Sequence, residues 1–182
     1  MNFLCIHHTA ISHALNKTQL YAVDRYHKEK FAMRSREGWW VCYNDFIDAD
    51  GTLTHTRHYD EETCAVVGHN CDTPARCDTM SVCLTGNFDV EYPTQSERTA
   101  LKNYIAAALK KYPGIQIIFH RKLQANRTCP GALLTQEYLN ALIRDALVTP
   151  VDDAAKEKIA ALAGRLDTLR ALLARLLALL KK

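Results

Sequence analysis

The sequence predicts an α/β fold: a mixed central β-sheet flanked by helices, with an added C-terminal amphipathic helix. Three observations lead there. MSVCLTGNF and GIQIIFH are short apolar runs of the kind that form strands buried on both faces. Segments of helical period, one with a clear start signal, lie between the strand candidates. Beyond Pro150 the composition turns abruptly to Ala, Leu, Lys and Arg, which sets a boundary between residues 1–150 and 151–182.

In chain order, NFLCIHH supplies the first strand, and the polar stretch ISHALNKTQ leads into a helix over residues 20–31. There Leu20, Val23 and Phe31 are apolar with charges between them. WWVCYNDFIDADGTLTHTRHY reads as two strands joined at Asp50-Gly51, a strong hairpin signal. MSVCLTGNF follows as the central strand. Thr94 and Glu97 form a capping box, and the helix they open runs to Tyr112, where Pro113-Gly114 stops it. GIQIIFH then delivers His120 to a strand's carboxyl end, and a last body helix covers 136–147. In α/β folds ligands bind in the crevice at the carboxyl ends of the strands. His7 and His120 both sit at such ends.

Composition narrows the function classes. The chain has 182 residues, 48% of them hydrophobic and 24% charged, enough for one sizeable core. No apolar run approaches the roughly 18 residues needed to span a bilayer, and MNFLCIHH lacks the basic start and apolar stretch of a secretory signal, so synthesis in the cytosol without conventional export is expected. Seven scattered cysteines, an odd number, read against a disulfide scaffold; a Cys71–Cys77 bridge across CDTPARC is the minor alternative. From Val151 onward seven basic residues face four acidic ones, which accounts for the whole net charge of +3. The body is formally neutral and carries no basic stripe, so no nucleic-acid partner is expected. In the tail, Ile159, Leu162, Leu166, Leu169, Leu173, Leu176 and Leu180 recur with 3,4 spacing, widened by Leu172, Leu177 and Leu179. Such a helix must dock on the body, self-associate, or contact an envelope or membrane surface.

The chemistry centres on HRKLQANRTCPG, where Cys129 follows His120 by nine residues and precedes Pro130-Gly131. A catalytic zinc takes three protein ligands and keeps a fourth position for water. Either His7 or His8 completes the set, since neighbouring side chains on a strand face opposite ways, and spacing does not choose between them.

IHHTA, YHKEKF, GWWVCYNDFIDADGTL, VGHN, SVCLTGNFD and HRKLQANRTCPG together resemble the zinc-dependent N-acetylmuramoyl-L-alanine amidases, the family of phage lysozyme-type amidases and peptidoglycan recognition proteins. The blocks occur in the family's order over nearly all of residues 1–148. The resemblance implies a Zn2+ cofactor held by His7, His120 and Cys129, with bacterial peptidoglycan as substrate. The implied reaction is hydrolysis of the amide between the lactyl group of N-acetylmuramic acid and the L-alanine of the stem peptide. It also implies that Tyr43 assists at the oxyanion. Where the family has a lysine two residues before the last ligand, this chain has Arg127, which stays charged and suits oxyanion binding rather than proton transfer. Cys83 stands where one branch carries a glutamate base. His69, Asn70, Trp40 and Arg76 are the expected substrate contacts, whereas His55 and His58 read as surface residues. A phage or prophage endolysin, made in the host cytoplasm and acting on the wall, fits this pattern. The resemblance leaves two alternatives, a non-catalytic peptidoglycan-binding module and a dual-role phage protein that also inhibits a polymerase.

Overall fold

The computed structural model describes residues 1–148 together with Leu162 and Arg165. Five strands form one sheet: β1 (Phe3–His8), β2 (Asp45–Ile47), β3 (Leu53–His55), β4 (Thr79–Leu84) and β5 (Gln116–Phe119). Their order is β3-β2-β4-β1-β5, with β1 parallel to β4 and β5, β2 parallel to β4, and only the β2–β3 hairpin antiparallel. This is the expected mixed sheet. Of the two apolar runs, β4 takes the sheet's centre, with every residue buried, and β5 forms an edge, with Gln116 exposed and Ile117, Ile118 and Phe119 buried.

Among residues 1–148 four α-helices accompany the sheet: α1 (Leu20–Phe31), α2 (Gln95–Lys111), the single turn α3 (His120–Leu123) and α4 (Gln136–Leu147). The capping box forms as the sequence predicts. Thr94 Oγ1 accepts the Glu97 N–H at 3.1 Å, and the Glu97 carboxylate accepts the Thr94 N–H at 2.8 Å.

Strand alternation sorts the side chains into two layers. Leu4, Ile6, Val82, Leu84, Ile117 and Phe119 point to the layer filled by Leu101 and Ile105 of α2 and Leu139 and Leu142 of α4. The alternate positions feed the other layer, where Phe46 and Cys83 pack with Leu20, Val23 and Val41, and Cys5 packs with Val66 and Ile118. His7 pairs in register with Cys83 and shares the second layer's parity. His8 falls on the opposite parity, where its ring lies beside Phe88 and its Nδ1 accepts the Phe88 N–H.

Two expectations need correction. The first hairpin strand is much shorter than WWVCYNDF implies, because side chains of α1 capture its backbone donors. Asp24 accepts the N–H groups of Trp40 and Val41, and His27 Nδ1 accepts that of Cys42 at 3.0 Å, so residues 40–42 have no donors left for a ladder, while Asn44 still bonds Ser81 O and the Thr56 N–H just before β2. The cysteines are also less idle than their scatter suggests. Cys42 bridges to Cys64 and Cys71 to Cys77, leaving Cys5, Cys83 and Cys129 as thiols. The heptad seam of the tail, Leu162 apart, lies outside the described residues.

Candidate active site

Strands β1 and β5 run side by side in parallel, and their register ends at Ile6 opposite Phe119. The next residue of each is therefore a histidine emerging at the same carboxyl edge. The rings of His7 and His120 lie 4.5 Å apart between centroids. The segment after α3 then returns the cysteine to them. Arg121 anchors it, its N–H donating to Cys129 O at 3.0 Å and its guanidinium to Gly131 O at 2.8 Å. Gly131 adopts φ +111° against the backbone of Phe88, where a Cβ would approach the Phe88 carbonyl carbon to 2.3 Å. So seated, Cys129 Sγ lies 3.7 Å from His7 Nδ1. One donor atom from each of His7, His120 and Cys129 falls within 4.8 Å of the others.

The electrostatics of this trio suit a cation. Burial lowers His7 well below the ordinary histidine value, with His120 and His8 adding to the effect, so its imidazole is neutral. Burial also lowers His120, against the opposing hydrogen bond from Gln124. That bond joins Gln124 Oε1 to His120 Nε2 and leaves Nδ1 as the free nitrogen. Burial pushes the Cys129 thiol up to about 11, opposed by the His8 backbone N–H and by Arg121, so a cation is needed to hold it as thiolate at neutral pH. His7 Nε2 is buried without a hydrogen-bond partner, although buried polar atoms are nearly always satisfied. An imidazole sealed in the core with one nitrogen orphaned and the other facing only sulfur is what a ligand to a metal looks like before the metal is counted. The donor set of two imidazoles and a thiol matches a zinc site with one position open.

The trio borders a cavity of about 290 Å³. Tyr43 lines it, its ring 5.0 Å from that of His7. Burial, reinforced by Cys83 and Cys129, raises the Tyr43 phenol well above its ordinary value, so it is a permanent hydrogen-bond donor. Arg127 reaches the same cavity from an exposed loop position. Five of the nine residues singled out in the sequence thus converge.

The other four do not line the cavity. His69 is paired with Asp78 at 2.8 Å and packed edge-on to Phe3. The Asn70 side chain staples its own loop by accepting the Val66 N–H and the Thr63 hydroxyl. Arg76 bridges to Asp72, and Trp40 lies beneath the cations of Lys28 and Arg34. In their place His27 and Phe31 of α1 and Val67 form part of the wall. His27 is buried and lowered to about 4 by desolvation, and its ring lies 5.6 Å from Tyr43. The signal was in the sequence: His27 stands four residues after Val23 and four before Phe31, on the apolar stripe of α1, and it is buried with Leu20 and Val23 of that stripe.

The family model for N-acetylmuramoyl-L-alanine amidase matches residues 1–132. The chain belongs to that family. The amidase fold is also shared with solved structures. The N-acetylmuramoyl-L-alanine amidase LysC from Clostridium intestinale is 24% identical with a TM-score of 0.62, over 79% of this chain and 85% of that one. The endolysin of the Thermus scotoductus bacteriophage Ph2119 is 19% identical with a TM-score of 0.60, over 80% and 84%. Drosophila PGRP-LB is 20% identical with a TM-score of 0.59, over 74% and 77%. At these identities the likeness is one of fold. No curated protein sequence matches the chain. Membership of the amidase family makes this a peptidoglycan hydrolase.

Proposed function

We propose that the chain is a zinc-dependent N-acetylmuramoyl-L-alanine amidase that cleaves between the lactyl group of N-acetylmuramic acid and the L-alanine of the stem peptide, and that it serves as a phage or prophage endolysin. The observation that carries the zinc reading is the convergence of one donor atom each from His7, His120 and Cys129 within 4.8 Å, in a chain where the buried His7 imidazole has Nε2 without a hydrogen-bond partner. Zinc bound there supplies Lewis acidity toward the scissile carbonyl and makes water a nucleophile at neutral pH.

The remaining chemistry belongs to the chain's own residues. Tyr43, always protonated, donates a hydrogen bond to the oxygen on which negative charge develops. Arg127 adds a fixed positive charge at the mouth of the same cavity and gives up no proton. Gln124 holds His120 in one tautomer and one orientation, as partners of metal-binding histidines do. The endolysin role draws on the likeness to phage and clostridial lysins. The Cys129 thiol favours catalysis over the binding-module alternative, because it completes a ligand set that a pure receptor does not require.

The test is digestion of purified peptidoglycan, scored by newly released L-alanine amino termini. Zinc-loaded protein is expected to release them, chelator to stop the release, and Cys129→Ser to lose both stoichiometric zinc and activity. Absence of release by zinc-loaded wild type would refute the catalytic reading, and full zinc retention by Cys129→Ser would refute the ligand assignment.

A further inference from the structure

A second group of metal-ligating side chains stands apart from the active-site cavity. Glu37, His55 and His58 each offer a donor atom, and these atoms lie within 4.8 Å of one another. None of the three lines the cavity described above. We propose that they form a second metal site, for a divalent transition ion of zinc's class, held by two imidazoles and one carboxylate with the remaining positions open to water.

The residue types fit such an ion, since imidazole and carboxylate donors together suit zinc, nickel or copper rather than calcium or magnesium. The surroundings fit as well. His55 Nδ1 is bound at 2.8 Å to Asp45, its cross-strand partner in the β2–β3 hairpin. Asp45 is buried, and its other oxygen accepts the hydroxyls of Tyr59 and Tyr104. A carboxylate fixed in that way keeps the proton on Nδ1 and leaves the Nε2 lone pair for a ligand. This is the second-layer arrangement that orients metal-binding histidines, and it exists here before any ion arrives.

The other two donors are brought together by backbone, not by chance contact. The Glu61 carboxylate accepts the N–H of Arg36 at 2.8 Å and that of His58 at 2.9 Å, clamping the turn that carries Glu37 to the segment that carries His58. Ser35 Oγ donates to Thr56 O at 2.7 Å and ties the same two segments a second time. On this frame His58 Nε2 and Glu37 Oε1 face each other at 2.7 Å, with the His55 ring perpendicular to that of His58 at 5.5 Å. A plain surface ion pair accounts for His58 and Glu37 alone, and such pairs contribute little. It does not account for a third donor held in the same place by a buried carboxylate.

The site is independent of the amidase reading and is tested separately. Full-length wild type, Glu37→Gln, His58→Asn, Cys129→Ser and the His58→Asn/Cys129→Ser double variant are dialysed against Zn2+ at neutral pH, and bound zinc per chain is measured. Glu37→Gln and His58→Asn are each expected to bind one zinc fewer than wild type, and the double variant one fewer than Cys129→Ser. Both substitutions are on accessible side chains, and Glu37→Gln retains an acceptor for His58. Their melting temperatures in chelator should therefore equal that of wild type, and amidase release should be unchanged. Uptake by Glu37→Gln and His58→Asn equal to wild type overturns the proposal.

Discussion

Tyr43 and Arg127 both face the reaction cavity, but they differ in what they can give. A buried phenol that never ionises contributes a directed hydrogen bond, whereas an exposed guanidinium contributes charge. Tyr43→Phe is accordingly expected to lower kcat by roughly a hundredfold with KM little changed, the cost of removing one oxyanion donor. Arg127→Lys should retain or raise activity, since lysine keeps the charge. Peptidoglycan digestion at varied substrate concentration separates the two, and a KM effect confined to Tyr43→Phe would reassign that residue to binding. His27 carries a pH prediction. Its folded value is about 4, below the ordinary value of about 6.5, so its contribution to stability is complete above pH 6.5. As pH falls from 6.5 toward 4 the unfolded chain takes up a proton that the folded chain refuses, and stability declines. His27→Asn keeps a side-chain acceptor near the Cys42 N–H and should flatten the fall in melting temperature across that window. The grouping of His7, His120 and Cys129, which the fold brings together, was legible at this scale because the three sit in blocks with a recognisable order. Spacing left His7 and His8 open, and strand parity supplies the physical choice between them. The placement of His69, Asn70 and Arg76 was less legible: they are engaged by neighbours in their own loop and lie outside the cavity lining, which no local pattern in VGHNCDTPAR reveals.

Elements with local signals were read closely. Helix α2 starts at the capping box and ends before Pro113-Gly114, and α1 and α4 have the bounds their periodicity implied. The Thr94 hydroxyl both accepts the Glu97 N–H and donates to Ala49 O, so Thr94→Ala is expected to cost about 1 kcal/mol or somewhat more in urea unfolding. A cost near zero would mean that the helix start is held by packing alone. The hairpin was legible at Gly51, whose φ of +87° suits the turn, but its length was not. Residues 40–42 have strand-like composition, and what denies them a ladder is a pair of acceptors on α1 about 15 residues away in sequence, Asp24 and His27. Tertiary competition for backbone donors leaves no trace in local periodicity.

For the body as a whole, the layer structure followed from buried strand runs, while the covalent cross-links did not. Pairing depends on which Cα atoms the finished fold brings close, and a cysteine count carries no such information. Cys42–Cys64 closes a loop across 22 residues and joins the Tyr43 segment to a residue of the cavity wall. Replacing both by alanine is expected to destabilise the body by about 3 kcal/mol, from the loop entropy returned to the unfolded chain. Denaturant titration measures it, and a loss under 1 kcal/mol would show the bridge to be incidental.

The alternation of β1 has a last consequence. Two imidazoles stand next to each other at its end, and only their odd or even position decides which meets sulfur and which meets Phe88. Deleting a single residue upstream within that strand, with its end sliding to fill the gap, would turn both rings to the other face: His8 would take the place of His7, and His7 that of Ile6 in the core. The catalytic edge is thus more sensitive to chain length there than to many changes of residue type.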